Sequence, residues 1–498
     1  MHLNKEGATS MYQRWWTKMD LKNKSVLELK ELISSRQISV TELVTYYLGQ
    51  IERYKDKNAV LEVFDDAIAE AKKWDEIIAE GKTELPKLAG IPIIIKDNIL
   101  YKGKKCTCAS LFMKDYVAQY DATVIKKLLD EGVIILGRAN MDEFAMGGST
   151  ERSAYGPCKN AWNDTKVPGG SSGGSAVAVA LDMCAFSLGS DTGGSVRQPS
   201  AYNGTYGIKP TYSRVSRYGL VAFASSLDQI GPITKTVTDN AYILSIIAGH
   251  DINDATSGKN EVPDYLETIE NDISGVKIGI IKEVQDLIST TEYADLYRDI
   301  ETWFAEHNAV VGEVSIKDYQ LALPVYYTVA PAEATSNLGR FDGVKYTTRS
   351  DDAKEIDEVY TLSRTEGFGP EVKRRIMLGN FVLSSGYYDA YYKKAKKIQQ
   401  MLKKEFARAF EECDVIIMPT AFGEAFDLNS KTNDPVSMYI EDMFTISANI
   451  VGVPAMSIPC GRGKTGLPLG LQILAKEWDE KIIYQVARYF EKMHKEDK

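Results

Sequence analysis

The chain has 498 residues, of which 44% are hydrophobic and 26% charged, and its formal net charge is −10. That length supports a large core. No apolar run reaches the ~18 residues of a membrane span, and the acidic balance, with only short basic runs, argues against strong autonomous binding of nucleic acid. The N-terminus lacks the apolar stretch of a secretory signal. The six scattered cysteines fit free thiols better than a zinc site, so the expected location is the cytoplasm.

In chain order, residues 1–18 match no folded pattern and read as a disordered N-terminal extension. Ser25-Val-Leu-Glu28 and Ser39-Val-Thr-Glu42 are capping-box sequences, each predicting the start of a helix. Apolar runs at Ile91 to Ile95, Val133 to Leu136, Val276 to Ile281, Val415 to Met418 and Leu469 to Leu474 predict buried strands. Amphipathic helical segments alternate with them, so the expected class is α/β with a largely buried mixed sheet. No Pro-rich or charged linker interrupts the chain, which favours a single domain over residues 19–498.

None of the four histidines (His2, His250, His307, His494) has a catalytic-looking neighbour, so a Ser-His-Asp triad is not expected. Lys96 ends the apolar run GIPIIIK. A lysine there is either desolvated, with the lowered pKa a base requires, or it reaches solvent or pairs with Asp97; the local pattern leaves both open. Ser195 lies in GSDTGGSVRQPS, after an apolar run and before a segment that can be helical until Pro199. The Gly193-Gly194 pair permits a sharp turn that would converge backbone amides on one point, as an oxyanion hole does. A phosphate cradle is the competing reading. It is weak, because neither glycine cluster carries the Gly-Lys-Ser/Thr end of a P-loop or a dinucleotide fingerprint.

Taken together, Lys96, GGSSGGS at 169–175 and DTGGSVRQPS at 191–200 resemble, in order and spacing, the amidase signature family. That resemblance implies a large twisted mixed β-sheet sandwiched between layers of α-helices, with a signature core over about residues 85–235. It also implies a serine–cis-serine–lysine triad: Ser195 as nucleophile, Ser171 as the relay after a cis bond from Gly170, and Lys96 as base. Backbone amides of Thr192, Gly193, Gly194 and Ser195 match the family's oxyanion hole.

Further segments, RANMDEFAMGGSTERSAYGP at 138–157 and EGFGPEVKRRIMLGNFVLSSGYYDAYYKKA at 366–395 among them, are similar to the glutaminase branch of this family, found in aspartyl/glutamyl-tRNA amidotransferases. The branch implies a glutaminase that supplies ammonia for converting Glu-tRNA(Gln) or Asp-tRNA(Asn) to the amidated product. Tyr326, Arg375 and Asp442 match its glutamine site, with the neighbouring Arg374 as the residue most easily confused with Arg375. It implies partner subunits B and C, with ATP, magnesium and most contact with misacylated tRNA belonging to the partner. No cofactor or metal is expected in this chain. Ser213 and Ser447 depart from the branch, which commonly has glycine and proline there. The rival expectations are a stand-alone amidase acting on another small amide and a scaffold protein without chemistry.

Overall fold

A computed structural model describes residues 21–496, apart from 82, 83, 290, 292 and 433. The N-terminal extension expected over residues 1–18 lies outside the described residues. The first two helices begin where the capping boxes place them. Ser25 and Ser39 each accept the N–H of the glutamate three residues on, and each glutamate reaches back to the cap's own N–H, so helices Val26–Ser34 and Val40–Arg53 start with satisfied donors. Leu43, Tyr47 and Ile51 line the buried face of the second helix, as their spacing requires.

Eleven strands form one mixed sheet. They are β1 (Val60–Val63), β2 (Pro92–Lys96), β3 (Ile134–Ala139), β4 (Phe186–Asp191), β5 (Tyr206–Lys209), β6 (Gln229–Thr234), β7 (Lys277–Ile281), β8 (Val310–Val314), β9 (Val415–Pro419), β10 (Ala455–Arg462) and β11 (Pro468–Ala475). Across the sheet the order is β1-β3-β2-β4-β6-β5-β10-β11-β9-β7-β8. The pairs β2–β3, β2–β4, β7–β8 and β7–β9 are parallel and the rest antiparallel. All five predicted strands are present as β2, β3, β7, β9 and β11. The fold is mixed α/β, and one apolar core runs from Ile93–Ile95 on β2 to Ile278 and Ile280 on β7. Each such side chain removed from water contributes roughly 1.5–3 kcal/mol, which favours the central strands being buried on both faces.

One outcome differs from the local expectations, and one alternative left open by the local pattern is decided. The segment after Ser195 does not stop at Pro199; it forms the helix Arg197–Asn203 with the proline in its first turn, where a missing N–H costs nothing. Lys96 does not pair with Asp97. That carboxylate is held by Arg138 Nη1 at 2.9 Å and by the N–H groups of Thr107 and Ala109. Ser213, where the resemblance implies glycine, has φ +74°, the left-handed conformation that glycine adopts without steric cost.

The topology positions the site. Strands β2 and β4 are parallel neighbours in the register Ile95↔Leu188, so Lys96 and Asp191 emerge at adjacent carboxyl ends. Crevices at such ends are where open α/β sheets place their ligands. Among the described residues, no helix is long and apolar enough to cross a membrane and no cluster of His, Cys, Asp or Glu is placed to hold a metal ion. All six cysteines are buried free thiols.

Candidate active site

Lys96 is fully buried, and its ammonium would be surrounded by hydroxyls rather than water. Its Nζ lies 2.7 Å from Ser171 Oγ, 2.8 Å from Ser172 Oγ, 3.0 Å from Ser190 Oγ and 3.2 Å from the Ser190 carbonyl. Burial pushes the lysine pKa down to about 7, against the opposing pull of Asp142, Asp191 and Asp228. A neutral amine has two N–H donors and one lone pair. The carbonyl of Ser190 accepts one donor, leaving the lone pair free to take a proton from a neighbouring hydroxyl.

Ser171 follows a cis peptide bond from Gly170. Asp142 braces this turn. Its Oδ2 accepts the Thr150 N–H at 2.8 Å, its Oδ1 accepts the Arg152 N–H at 3.1 Å, and its own N–H donates to the Ser171 carbonyl at 3.3 Å. A Cβ at Gly170 would lie 2.2 Å from Asp142 Oδ2, so only glycine fits against the carboxylate. On the far side, Gly170 N–H donates to Gln198 Oε1 at 3.1 Å.

Ser195 follows β4 and precedes the helix Arg197–Asn203. Its loop is tied to the loop of Ser171 by the Ser172 N–H, which donates to the Ser195 carbonyl at 3.1 Å. Among the described residues no hydrogen bond joins the hydroxyls of Ser171 and Ser195. The loop is built around Asp191, whose Oδ1 accepts Gly194 N–H at 2.9 Å and Arg197 Nη2 at 2.9 Å, and whose Oδ2 accepts Val196 N–H at 3.1 Å and Arg197 Nε at 3.0 Å. Burial would raise this carboxyl's pKa, but the Arg197 guanidinium and the Asn449 amide outweigh burial and hold it well below the usual range. Fully desolvated ion pairs of this kind give orientation more reliably than net stability.

These contacts revise the expected oxyanion hole. Gly194 N–H is engaged by Asp191, so it is not available to a substrate oxygen in this conformation. The amides of Thr192, Gly193 and Ser195 have no acceptor among the described residues and remain as candidates. Gly194 has φ +130°, and a Cβ there would come within 2.2 Å of Thr445 Oγ1. That same threonine hydroxyl donates to the Gly193 carbonyl at 2.6 Å and lies 3.2 Å from the Asp442 carbonyl.

The three residues expected at the glutamine site lie close enough to one another for Arg375 and Asp442 each to act on the Tyr326 phenol. Tyr326, on the helix Ala322–Asn337, packs its ring against Gly193, whose Cβ position is 2.7 Å from the phenol oxygen. Arg375, on the helix Pro370–Leu383, is only 3% exposed, whereas the neighbouring Arg374 side chain is 44% exposed, so it is Arg375 that points inward. Its Nε donates to Glu371 Oε1 at 2.8 Å, and its guanidinium lies over Phe223, Tyr327 and Tyr439 at 5.4–5.5 Å. The ηN–H groups, which match a carboxylate, carry no hydrogen bond to a described residue. Asp442 precedes the helix Ile446–Val451, and its Oδ2 accepts the Tyr327 hydroxyl at 2.6 Å. Burial raises its pKa to about 7, opposed by the Tyr327 hydrogen bond and by Arg375.

Several supporting residues lie outside the sequence expectations. Glu371, four positions before Arg375 on one helix face, is readable as its partner. Tyr327, Tyr439 and Gln198 come from separate elements and carry no local signal.

The Amidase family model matches residues 42–483. The chain is 51% identical over 481 residues, covering 96% of it and 98% of the relative, to the A subunit of glutamyl-tRNA(Gln) amidotransferase from Caldanaerobacter subterraneus subsp. tengcongensis. The same subunit from Thermoanaerobacter pseudethanolicus is 49% identical over 96% of the chain and 98% of the relative. The crystal structure of the corresponding Thermotoga maritima protein, again the A subunit of glutamyl-tRNA(Gln) amidotransferase, superposes with a TM-score of 0.78 at 38% identity, covering 95% of this chain and 96% of that one. Peptide amidase from Stenotrophomonas maltophilia gives 0.81 at 25% identity, over 96% and 98%. The buried lysine, the serine after a cis bond and the glycine-rich serine loop, joined at the carboxyl ends of β2 and β4, thus belong to a chain of the amidase family.

Proposed function

We propose that the chain is the glutamine-hydrolysing component of a tRNA-dependent amidotransferase, with Lys96, Ser171 and Ser195 as its triad. The observation that carries the mechanism is the 2.7 Å contact between a fully buried lysine amine and Ser171. Neutral Lys96 draws the proton of Ser171, which takes the proton of Ser195 as that hydroxyl attacks the side-chain amide carbon. The tetrahedral oxyanion is met by the free amides around Gly193. The relay then runs backward, protonating the departing nitrogen, and ammonia leaves a glutamyl ester on Ser195. Water attacks that ester through the same relay, releasing glutamate and restoring the serine.

Arg375 would hold the substrate's carboxylate through its η nitrogens and Asp442 the ammonium, while Tyr326 orients the chain between them. A buried cation and a buried carboxylate facing one crevice favour an amino-acid amide over the rival reading, a stand-alone amidase for a simple amide. In this reading ammonia passes to a B subunit, which uses ATP and magnesium to amidate misacylated tRNA, a small C subunit joins the two, and the complex works in the cytoplasm.

The test is ammonia release from glutamine by the chain copurified with its partners. Ser195→Ala is expected to abolish it while leaving amidation from added ammonia intact. Full glutaminase activity in the variant would remove Ser195 as the nucleophile.

A further inference from the structure

Gln198 has two ends with different fates. Its Oε1 accepts the Gly170 N–H, and because a backbone N–H can only donate, this contact fixes which end of the amide is oxygen. The other end of the amide is therefore the Nε2 donor. The residue is 1% exposed, and Nε2 has no hydrogen-bond partner. An unpartnered buried amide costs about 1–3 kcal/mol, so such a group calls for an explanation.

Its surroundings supply one. A Cβ placed on Gly148 would lie 3.4 Å from Asp442 Oδ1 and 3.8 Å from both Gln198 Nε2 and Gln198 Oε1. The side-chain amide of Gln198 and the carboxylate of Asp442 thus meet at the same bare glycine, and among the described residues no hydrogen bond connects them. Asp442 uses Oδ2 for Tyr327, and Oδ1 accepts nothing from a described residue. A group that filled this gap would have to present an acceptor to Gln198 and a donor to Asp442. An ammonium alone offers only donors and a carboxylate only acceptors. The α-carbon of an amino acid offers both.

We infer that Gln198 is a substrate-binding residue whose Nε2 donates to the α-carboxylate of the amino-acid amide, beside Asp442, while its Oε1 holds Gly170 of the relay turn. This rests on the proposed glutaminase reading and extends its recognition set by one residue. It also joins recognition to catalysis, since a single side chain contacts the substrate's tail and the turn that carries Ser171.

The experiment uses the full chain with its partner subunits and two substrates: glutamine, and butyramide, which has neither carboxylate nor ammonium. Gln198→Glu keeps an oxygen for Gly170 N–H and replaces the donor with an anion. The expected result is a KM for glutamine at least tenfold higher, with the ratio of kcat/KM for glutamine to that for butyramide at least tenfold lower. An unchanged KM for glutamine, or an equal loss on both substrates, overturns the inference. If Gln198→Glu does not accumulate as folded protein, Gln198→Met serves through the same ratio of the two kcat/KM values, which is expected to fall at least tenfold; an unchanged ratio overturns it. Failure of the wild-type complex to hydrolyse glutamine at all would refute the glutaminase reading instead, and the two failures are distinguishable.

Discussion

The pKa of Lys96, pushed down to about 7 from 10.5 by burial, makes a quantitative demand on the pH dependence of catalysis. The displacement corresponds to about 5 kcal/mol of preference for the neutral amine. At pH 7 a lysine in water is neutral about three times in ten thousand, whereas this one is neutral about half the time, a gain of about a thousandfold in available base. In the proposed mechanism activity requires the neutral form, so it is expected to rise with pH and level off above the pKa. With glutamine, the carboxyl of Asp442, also near 7, must be ionised to receive the ammonium, and kcat/KM is expected to fall more steeply than one proton's worth on the acid side. Butyramide has no ammonium and isolates the lysine: its kcat/KM should fall tenfold per pH unit below an inflection near 7. Lys96→Arg keeps the charge but cannot deprotonate, and it should lower kcat/KM for both substrates by roughly a thousandfold at pH 7. Stopped-time ammonia assays from pH 5.5 to 9 provide the measurement. An inflection for butyramide at pH 9 or above, or an arginine variant with more than a tenth of wild-type activity, would refute the assignment of Lys96 as a desolvated base.

Other expectations follow from single contacts. Arg375→Ala should raise KM for glutamine by roughly 10- to 100-fold, as loss of charge-assisted hydrogen bonds worth about 1.5–3 kcal/mol implies, while amidation from added ammonia persists; parallel loss of both activities would indicate a structural role. Gly194→Ala puts a Cβ 2.2 Å from Thr445 Oγ1 at φ +130°, and kcat for glutamine should drop at least about 100-fold through displacement of the loop; near-normal kcat would show that the loop tolerates the shift. Ser213→Gly relieves a left-handed serine at φ +74° and should stabilise the chain by up to about 1 kcal/mol in urea unfolding, with a decrease counting against the conformational account.

Where structure follows from local physics, the sequence is readable. Ser25 and Ser39 announce their helices because the capping box closes within four residues, and Ile93–Ile95 reads as a strand because continuous β-branched residues suit a doubly buried position. Strand β3 extends past its apolar run to Arg138, a residue that no periodicity would place inside a sheet. It fits there because Asp97 and Glu62 neutralise it from neighbouring segments. At the site, the motif residues are legible through their resemblance, but the roles of their neighbours are not. Gly194 reads as one more free amide in a glycine-rich turn, although Asp191 stands only three positions before it and takes that N–H in the folded chain. Tyr327 and Gln198 act through partners more than a hundred and nearly thirty positions away, respectively, and such pairings have no signature within a sequence window.

Thr445 has a consequence for substrate length. Its hydroxyl donates to the Gly193 carbonyl and lies near the carbonyl of Asp442, three positions earlier in its own turn, so in the proposed reading one side chain fixes the span between the attacking serine and the carboxylate that would hold the substrate's ammonium. A site spanned in this way behaves as a ruler. An amino-acid amide one methylene shorter than glutamine would leave its carbonyl about an ångström from the hole, and a misplacement of that size costs on the order of a hundredfold in rate. In the proposed reading a fixed gap of this kind would by itself disfavour asparagine relative to glutamine, without any contact that rejects it.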